Sequence, residues 1–394
     1  MRTAIIGGGA AGFFAAICLK EMRPEMEVCI FEGANRVLRK VEVSGGGRCN
    51  CTNTFAEVSD LKQVYPRGHR LLKRLFKDFG PKDAHAWFEQ HGVRLTTQED
   101  QCVFPASQDS HTIINMFLAE ARRHRIAIKT GTKISSLDGL RHDFDFIVVT
   151  TGGSPRKEGL TWLGQEVVTP VPSLFTFSID DDGLKSLMGT VVQEAAVHIP
   201  GSKLRTTGPI LITHWGMSGP AVLRLSSYAA RELADHDCHL PLCVNWACAT
   251  EAEVQQELSK VAMRNPGKQV GGMHPFDLPA RLWSYLAGKC LGTRSQCRWQ
   301  DINKKEMNRL TNILTNDCYE IAGRAAFKDE FVTCGGIALS AVDAATLESK
   351  TTPHLYFAGE VLDIDGTTGG FNFQAAWTTA YTVARAIARA AEER

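Results

Sequence analysis

The first twelve residues constrain the fold of this 394-residue chain more than any other stretch. An apolar run at residues 4–6 predicts a buried strand, and a helical pattern follows from Gly9 to about Met22. At the junction of strand and helix, Gly7, Gly9 and Gly12 have the G-x-G-x-x-G spacing. Glycines at this spacing permit the tight turn, let a pyrophosphate approach the backbone, and let helix and strand pack closely. The N-terminus of the helix then offers free N–H groups and partial positive charge to phosphate.

A second strand and an acidic residue complete the pattern. Residues 27–31 predict a strand that ends at Glu32. At this position in dinucleotide-binding units a carboxylate accepts hydrogen bonds from the adenosine ribose. The order of strand, glycine turn, helix, strand and acid therefore predicts a dinucleotide site. An ordinary turn between strand and helix is the alternative.

A second glycine-rich loop lies at residues 44–53 and reads Ser-Gly-Gly-Gly-Arg-Cys-Asn-Cys-Thr-Asn. Three consecutive glycines exclude a regular helix or strand there. Arg48 carries a planar fork of donors that suits phosphate or carboxylate. The loop is predicted to face the cofactor, with a solvated loop as the alternative.

Two later strands also end in glycine. The apolar run 144–149 leads into Thr151–Gly153, and residues 354–358 lead into Gly359 and Glu360. Ligands of open parallel sheets bind at the carboxyl ends of the strands, so both ends are predicted to lie near the cofactor. A glycine-rich turn follows, and then a helix from about residue 372 to 391, whose N-terminus suits an anionic or electron-rich group.

The middle of the chain has a different character. Residues 174–179, 190–199 and 209–213 alternate as antiparallel strands, and 250–323 is predicted to be mostly helical. A strand at 133–137 and a single helix at 221–233 are also predicted. The sequence therefore predicts a first part of the cofactor domain at 1–178, an insert at 179–340, and a second part at 341–394.

Composition limits the function classes. The net charge is +1, so no global field favours nucleic acid or an anionic membrane. The 12 cysteines form no paired C-x-x-C sets, so no metal site is expected, and free thiols in a reducing cytoplasm are predicted. No window of ~18 apolar residues predicts a membrane span. We expect a cytoplasmic monomer or homodimer that acts on a small molecule, without a nucleic-acid partner.

Three motifs together resemble one family. Residues 44–53, 213–220 and 359–374 are similar to those of the BaiN-like (YhiN-like) NAD(P)/FAD-dependent oxidoreductases, and the resemblance covers essentially the whole chain. It implies an α/β fold with a Rossmann-like, glutathione-reductase-type FAD-binding domain and an inserted β-barrel-like and helical part. The sequence departs from the family pattern at Cys51, Phe371, Phe373 and Ala380.

The resemblance also implies an activity. FAD would pass a hydride between its N5 atom and a small organic substrate, with reduction of an enone-type double bond as the first expectation. An oxygen-using oxidase of aminoacetone-type amines is the alternative, and a flavin-dependent RNA-modifying or RNA-binding protein is a distant third. No second nucleotide fingerprint is present, so NADH or NADPH would be a transient electron donor.

His214 is the candidate for proton transfer, because imidazole titrates near neutral pH and this one stands in a glycine-rich turn; a structural histidine is the alternative. The residues expected to contact FAD are Gly7, Gly9, Ala10, Ala11, Gly12, Glu32, Gly33, Lys40, Ser44, Gly45, Gly46, Arg48, Cys49, Asn50, Thr151, Gly152, Gly153, Gly359, Glu360, Asp365, Gly370, Phe371 and Asn372.

Overall fold

The chain divides into two compact units in a computed structural model that describes residues 1–324 and 332–393. One unit comprises Met1–Ser173 together with Phe327–Arg394, and the other comprises Leu174–Ala326. The chain returns to the first unit before residue 340, earlier than the sequence predicts. The reason is that strand Val332–Ile337 pairs antiparallel with strand Val167–Ser173.

Strands and helices alternate in the first unit, whereas strands and helices are more segregated in the second. The strands are β1 Arg2–Ile6, β2 Glu27–Phe31, β3 Thr52–Asn53, β4 Leu95–Thr97, β5 Cys102–Pro105, β6 Ala127–Lys129, β7 Phe146–Val149, β8 Val167–Ser173, β9 Phe177–Ile179, β10 Val191–His198, β11 Arg205–Ile212, β12 Gly216–Ser218, β13 Pro241–Asn245, β14 Asp317–Arg324, β15 Val332–Ile337 and β16 Leu355–Phe357.

The helices are α1 Ala10–Met22, α2 Arg39–Gly47, α3 His69–Leu75, α4 Pro81–Gln90, α5 His111–Arg123, α6 Asp138–Asp143, α7 Asp182–Lys185, α8 Pro220–Tyr228, α9 Ala230–Asp235, α10 Glu251–Arg264, α11 Ala280–Leu291, α12 Lys304–Thr315 and α13 Phe371–Glu392. Short 3-10 turns lie at Leu61–Gln63, Lys157–Gly159, Thr161–Leu163, Val270–Gly272, Gly292–Gln296, Trp299–Asp301, Leu339–Ala341 and Gly359–Val361. None of these helices, over the residues the structure describes, is long and apolar enough to cross a membrane.

A five-stranded parallel sheet forms the centre of the first unit. Its order is β16-β7-β1-β2-β6, with β1 in the middle. Ile5 of β1 pairs with Ile30 on one side and Val148 on the other, and all three side chains are buried. Strands buried on both faces are apolar throughout, which is why these runs were recognisable in the sequence. The predicted Rossmann-like fold is confirmed.

The two ends of the chain meet in this unit. Helix α1 packs along α13, and the rings of Phe14 and Trp377 lie 5.2 Å apart between their centroids. Both rings are buried, together with those of Phe88 and Phe117. A Cβ on Gly359 would lie 2.9 Å from the Cβ of Ala11, so the two segments touch directly. The N-terminal and C-terminal glycine turns therefore belong to one globular unit.

The second unit contains a closed six-stranded barrel, in the order β10-β11-β12-β9-β14-β13. The barrel strand that comes last in the sequence, β14, falls in the region predicted to be helical, so that part of the prediction is wrong. Its residues alternate between buried and exposed from Asp317 to Ala322, which is the period of a strand. Helices α10, α11 and α12 form the helical part that the sequence predicts.

A disulfide joins two barrel strands. Cys243 of β13 stands opposite Cys318 of β14 in the antiparallel register, with their Cα atoms 4.2 Å apart. The expectation of free thiols is therefore wrong for this pair. The two cysteines are 75 residues apart in sequence, and only the pairing of the strands brings them together.

Two further predictions are wrong. Residues 133–137 form no strand, because most of their side chains are exposed and no neighbouring strand in the described part of the chain pairs with them. The predicted helix 221–233 is divided into α8 and α9, because Ala229 leaves helical geometry with φ −86° and ψ 6°.

Candidate functional site

The three fingerprint glycines meet different surroundings. A Cβ added to Gly7, whose φ is +117°, would lie 2.4 Å from the carbonyl oxygen of Thr150. A Cβ on Gly12 would lie 2.0 Å from the carbonyl oxygen of Gly7, whereas a Cβ on Gly9 would have no atom within 4 Å. Gly7 and Gly12 are therefore required by the packing of the protein itself. At Gly9 the backbone is open to a ligand.

Helix α1 begins without a side-chain cap. Gly9 is its N-cap residue and supplies no side-chain hydrogen bond, and the first turn contains no acidic residue. The first N–H groups of a helix have no intrahelical acceptor, so they are available to an external anion. The open backbone at Gly9 and these N–H groups fit a pyrophosphate.

Glu32 is fixed at the end of β2 by backbone N–H groups. Its Oε2 accepts from the N–H of Gly8 at 2.8 Å, and its Oε1 accepts from the N–H of Ala34 at 2.7 Å. Each carboxylate oxygen can accept more than one hydrogen bond, and the residue is half-buried. The carboxylate is thus held beside the first glycine turn with capacity left for ribose hydroxyls.

The second glycine loop breaks helix α2. From Ser44 the backbone leaves helical geometry, and Gly45 and Gly46 have φ of +57° and +68°. A Cβ on Gly45 would lie 2.9 Å from the backbone nitrogen of Asn50, whereas one on Gly46 would meet open space. The prediction that these glycines form no regular helix is confirmed.

Arg48 is held by its own loop. Its Nε donates to the carbonyl of Gly45 at 3.1 Å, and its guanidinium carbon lies 4.3 Å from the centroid of the Phe104 ring. Its Nη1 is 3.4 Å from the side-chain oxygen of Gln108. Stacking on an aromatic face orients the guanidinium while leaving further N–H groups free to bind an anion.

The second glycine loop packs on the turn that precedes α13. The side-chain nitrogen of Asn53 donates to the carbonyl of Gly369 at 3.1 Å. A Cβ on Gly370 would lie 2.3 Å from the carbonyl oxygen of Thr52, so only glycine fits there. Two segments more than 300 residues apart, both predicted to face the cofactor, are therefore in direct contact.

Helix α13 also begins without a side-chain cap. Gly370, with φ +84°, is its N-cap residue, and no acidic residue stands in its first turn. Asn372 closes the preceding turn, because its Oδ1 accepts from the N–H of Gly366 and its Nδ2 donates to the carbonyl of Gly366, both at 2.8 Å. The N–H groups at the start of this 22-residue helix remain available to an electron-rich group.

The predicted strand ends meet around Glu360. Its Oε2 lies 2.7 Å from Nζ of Lys40, and its Oε1 accepts from the N–H of Thr333 at 2.9 Å. A Cβ on Gly152 would lie 3.7 Å from Oε2 of Glu360, and one on Gly153 would lie 2.2 Å from Oγ1 of Thr333. The ends of β7 and β16 are therefore adjacent, with a fixed carboxylate between them.

The Asp365 side chain binds other residues of the protein, so its predicted contact with FAD is left to its backbone. It is fully buried, and both of its carboxylate oxygens are paired with the guanidinium of Arg67. The hydroxyl of Ser173 donates to the same carboxylate at 2.9 Å. Burial raises the pKa of Asp365 even though Arg67 opposes this rise. Asp365 therefore stabilises the glycine-rich turn that precedes α13 through these buried contacts.

Cys49 is likewise turned into the core. It is fully buried, has φ +61°, and its Sγ lies 3.9 Å from Sγ of Cys51. Burial raises the pKa of the Cys51 thiol well above its ordinary value. Both thiols are buried, and a buried thiol with a pKa as high as that of Cys51 is a poor nucleophile. The predicted contact of Cys49 with FAD is therefore left to its backbone.

Two threonines that bind the glycine turns were not identified from the sequence. The hydroxyl of Thr150 donates to the carbonyl of Gly7 at 2.9 Å, and that of Thr379 accepts from the N–H of Gly359 at 2.9 Å. A threonine that directly follows a buried strand, as Thr150 follows β7, is the signal that could have shown the first of them.

His214 lies in the second unit, in the turn between β11 and β12. It is exposed, and its ring centroid is 4.6 Å from that of Trp215. Its role in proton transfer stays a prediction.

A family model matches this chain over residues 1–386, and its description is "HI0933-like protein Rossmann domain". Curated relatives match over nearly their whole length. A 3-dehydro-bile acid delta(4,6)-reductase of Clostridium scindens is 25% identical and is matched over 98% of this chain and 99% of its own. Ribosomal RNA dihydrouridine synthases of Haemophilus influenzae and Escherichia coli are 27% and 26% identical, over 98% and 97% of this chain and 98% and 96% of theirs.

Among solved structures, a 3-ketosteroid delta1-dehydrogenase of Sterolibacterium denitrificans superposes with a TM-score of 0.46 at 11% identity. The superposition covers 98% of this chain and 99% of the other.

Proposed function

Because the chain belongs to the HI0933-like Rossmann-domain family of FAD-dependent oxidoreductases, we propose that it reduces a carbon–carbon double bond conjugated to a carbonyl group. The electrons would come from NADH or NADPH. The single observation that carries the choice of reaction is the pair of names given to its relatives. One reduces a steroid and the others form dihydrouridine, and both names describe saturation of a C=C bond.

The residues of the first unit fit FAD. The open backbone at Gly9 and the uncapped start of α1 would hold the pyrophosphate, and Glu32 would hold the ribose of the adenosine half. The uncapped start of α13 and the open face of Gly46 would hold the flavin half. When bound, FAD supplies hydride transfer at its N5 atom.

Helix α13 would stabilise the charge of the reduced cofactor. A helix N-terminus favours a nearby anion by ~0.3–2 kcal/mol, and its effect is largest where no side chain already satisfies the N–H groups. Gly370 leaves those groups free. Arg48, fixed by Phe104, would add a second positive group for a phosphate or a substrate carboxylate. His214 would exchange the proton that accompanies the hydride.

A second candidate function is the reduction of uridine in RNA, which two relatives favour by name. Uracil carries a C=C bond conjugated to a carbonyl, so the chemistry would be the same. Arg70, Lys73 and Arg74 of α3 are exposed and stand on one face of that helix at i, i+3 and i+4. Such a stripe suits RNA phosphates, although a solvated helix face has the same pattern.

One experiment separates a reductase from an amine oxidase. The purified protein is expected to show a flavin absorbance spectrum, which anaerobic NADH or NADPH should bleach. Addition of a conjugated enone should then restore the oxidised spectrum. Resistance to both nucleotides, together with bleaching by aminoacetone and production of hydrogen peroxide in air, would replace the reductase proposal with an amine oxidase.

RNA is tested by affinity as a function of salt. If ribosomal RNA is the substrate, binding should weaken as salt rises, and the variant Arg70→Gln/Lys73→Gln/Arg74→Gln should flatten that dependence. The triple variant Arg122→Gln/Arg123→Gln/Arg125→Gln removes the same charge at the end of α5 and serves as the control. Equal loss in both triples would show that the α3 stripe has no special role.

Replacing His214 by Ala tests the proposed proton transfer. The expected result is a turnover rate reduced by ~10²-fold or more, with a changed pH profile and unchanged reduction of the flavin by NAD(P)H. An unaltered pH profile of substrate turnover would exclude the role.

A further inference from the structure

We propose that Arg67 is a positioning residue for the flavin half of FAD. Together with its neighbours at 64–68, it holds the turn at 364–371 and, through that turn, the N-terminus of α13. This inference rests on the proposed FAD site but concerns a residue that touches neither cofactor nor substrate.

The ion pair between Arg67 and Asp365 is the centre of this contact. Nε and Nη2 of Arg67 point at the two oxygens of the carboxylate, which gives the forked geometry that only arginine provides. Asp365 is fully buried and the Arg67 side chain is only 17% exposed, so water screens the pair weakly. Ser173 at the end of β8 donates a third hydrogen bond to the same carboxylate.

Other residues of segment 64–68 contact the turn on both sides of Asp365. The N–H of Thr367 donates to the carbonyl of Val64 at 2.8 Å, and the hydroxyl of the buried Tyr65 donates to the carbonyl of Phe371 at 2.7 Å. A Cβ on Gly68 would lie 2.6 Å from the side chain of Ile364. Segment 64–68 therefore follows the turn along its whole length.

The turn needs such an external support because of its composition. Gly366, Gly369 and Gly370 stand within five residues, and the last two have φ of +126° and +84°. Glycines lose more conformational freedom on ordering than other residues, so a chain of them does not hold one shape by itself. Because the groups offered by α13 are backbone N–H groups, their placement depends directly on the shape of this turn.

The test uses the full-length protein reconstituted with FAD. In Arg67→Met, the dissociation constant for FAD is expected to rise at least tenfold, which corresponds to about 1.4 kcal/mol. The midpoint potential of the bound flavin should become more negative, because the helix N-terminus no longer stabilises the reduced form as well. Arg67→Lys should have an affinity and a potential between those of the wild type and Arg67→Met, because lysine keeps the charge but loses the forked geometry.

The matched control is an arginine–aspartate pair on helix α13, away from the turn at 364–371. Arg385 of α13 pairs with Asp78 at 2.6 Å, and this pair is partly exposed. Arg385→Met removes an arginine–aspartate pair from α13 without touching the turn, so the affinity for FAD should change by less than about twofold. Fluorescence titration gives the affinity and spectroelectrochemistry gives the potential.

A second variant guards against misfolding. Arg67→Met alone leaves the buried Asp365 carboxylate without its charged partner, which strongly destabilises a protein, whereas replacing a buried ion pair by apolar residues is often tolerated. The double variant Arg67→Met/Asp365→Leu should therefore fold, as judged by circular dichroism, and still bind FAD at least tenfold more weakly than the wild type.

The outcomes are distinct. A wild-type protein that binds no FAD would contradict the proposed function itself. A wild type that binds FAD, together with a folded Arg67 variant of unchanged affinity and potential, would overturn the positioning role alone. So would an Arg385→Met variant that loses as much affinity as Arg67→Met.

Discussion

The two units of this protein differ in the groups that form their main polar feature, which are backbone groups in the first unit and side chains in the second. In the first unit, the surfaces that would face a ligand are backbone: Gly9 and Gly46 are open, and α1 and α13 begin without side-chain caps. In the second unit, a network of side chains ties the barrel to its helices around Asp317. A glycine motif lies within a short stretch of sequence, but a side-chain network joins residues that are far apart in the sequence. The first kind of site is therefore much easier to predict.

The Asp317 network shows this distance. The carboxylate is buried and accepts hydrogen bonds from Trp246 Nε1 at 3.0 Å and from the hydroxyl of Tyr319. Nζ of Lys289 lies 2.8 Å from its other oxygen. The partners come from a loop, a strand and a helix, and burial beside Asp317 raises the pKa of the Tyr319 hydroxyl. No local motif in the sequence indicates such a cluster.

The largest expected effect is in this network. Asp317→Ala should lower the free energy of unfolding by ~3–5 kcal/mol, because the Lys289 charge and two buried donors lose their acceptor. Chemical denaturation measures the change. Asp182→Ala, at a fully exposed side chain, should alter stability by less than about 0.5 kcal/mol. A loss at Asp317 no larger than that control would remove the distinction between the two units.

The disulfide gives the next effect. Breaking the Cys243–Cys318 bond by a Cys318→Ser substitution should cost ~2–4 kcal/mol, because a cross-link between residues 75 apart restricts the unfolded chain. Denaturation of the wild type with and without reductant should reproduce the difference. Cys248→Ser, at an exposed free thiol, is the control and should change little. A thiol count showing every cysteine free in the purified protein would contradict the prediction.

A pair of glycine substitutions sharpens the description of the first unit. Gly12→Ala should destabilise the protein by ~1–3 kcal/mol, because its Cβ would collide with backbone. Gly9→Ala should leave stability within about 0.5 kcal/mol but weaken FAD binding at least tenfold, because its Cβ would occupy the open face. Thermal denaturation without FAD and titration with FAD separate the two. Equal behaviour of the variants would show that Gly9 has no ligand-facing role.

The smallest effect concerns a side-chain ion pair within the first unit. Nε2 of His91 lies 2.8 Å from Glu21. Burial opposes protonation of His91, but Glu21 raises the net pKa of His91 above its ordinary value of 6.5. Burial also raises the pKa of Glu21, but His91 and Trp87 lower it below 4.5 overall.

The sign of the pH dependence follows from these directions. The stabilisation by His91 is complete below pH 6.5 and is lost as pH rises through its raised pKa, while that of Glu21 is lost as pH falls through its lowered pKa. The pair should therefore stabilise most between pH 4.5 and 6.5. Relative to His91→Gln, the wild type should lose up to about 1 kcal/mol between pH 6 and 9. A constant difference across that range would show that the pair does not titrate.

The parallel sheet and the glycine turns at both ends of the chain could be predicted from the order of residues alone. This was possible because strands buried on both faces are apolar throughout, and because a close approach of backbone to backbone tolerates only glycine, as at Gly7 and Gly12. The end of β2 beside Glu32 and the start of α13 were each predicted to within one residue of their observed positions, since each directly follows such a strand or turn.

Which polar side chains bind other residues inside the protein could not be predicted in this way. Asp365 looked like a ligand in the sequence, yet it is buried against Arg67, which lies 298 residues away. The strand at Asp317–Arg324 and the pairing of Cys243 with Cys318 were equally hidden. A side chain's partner depends on which segments fold together, and that pairing is settled by packing over the whole unit and not by the local order of residues.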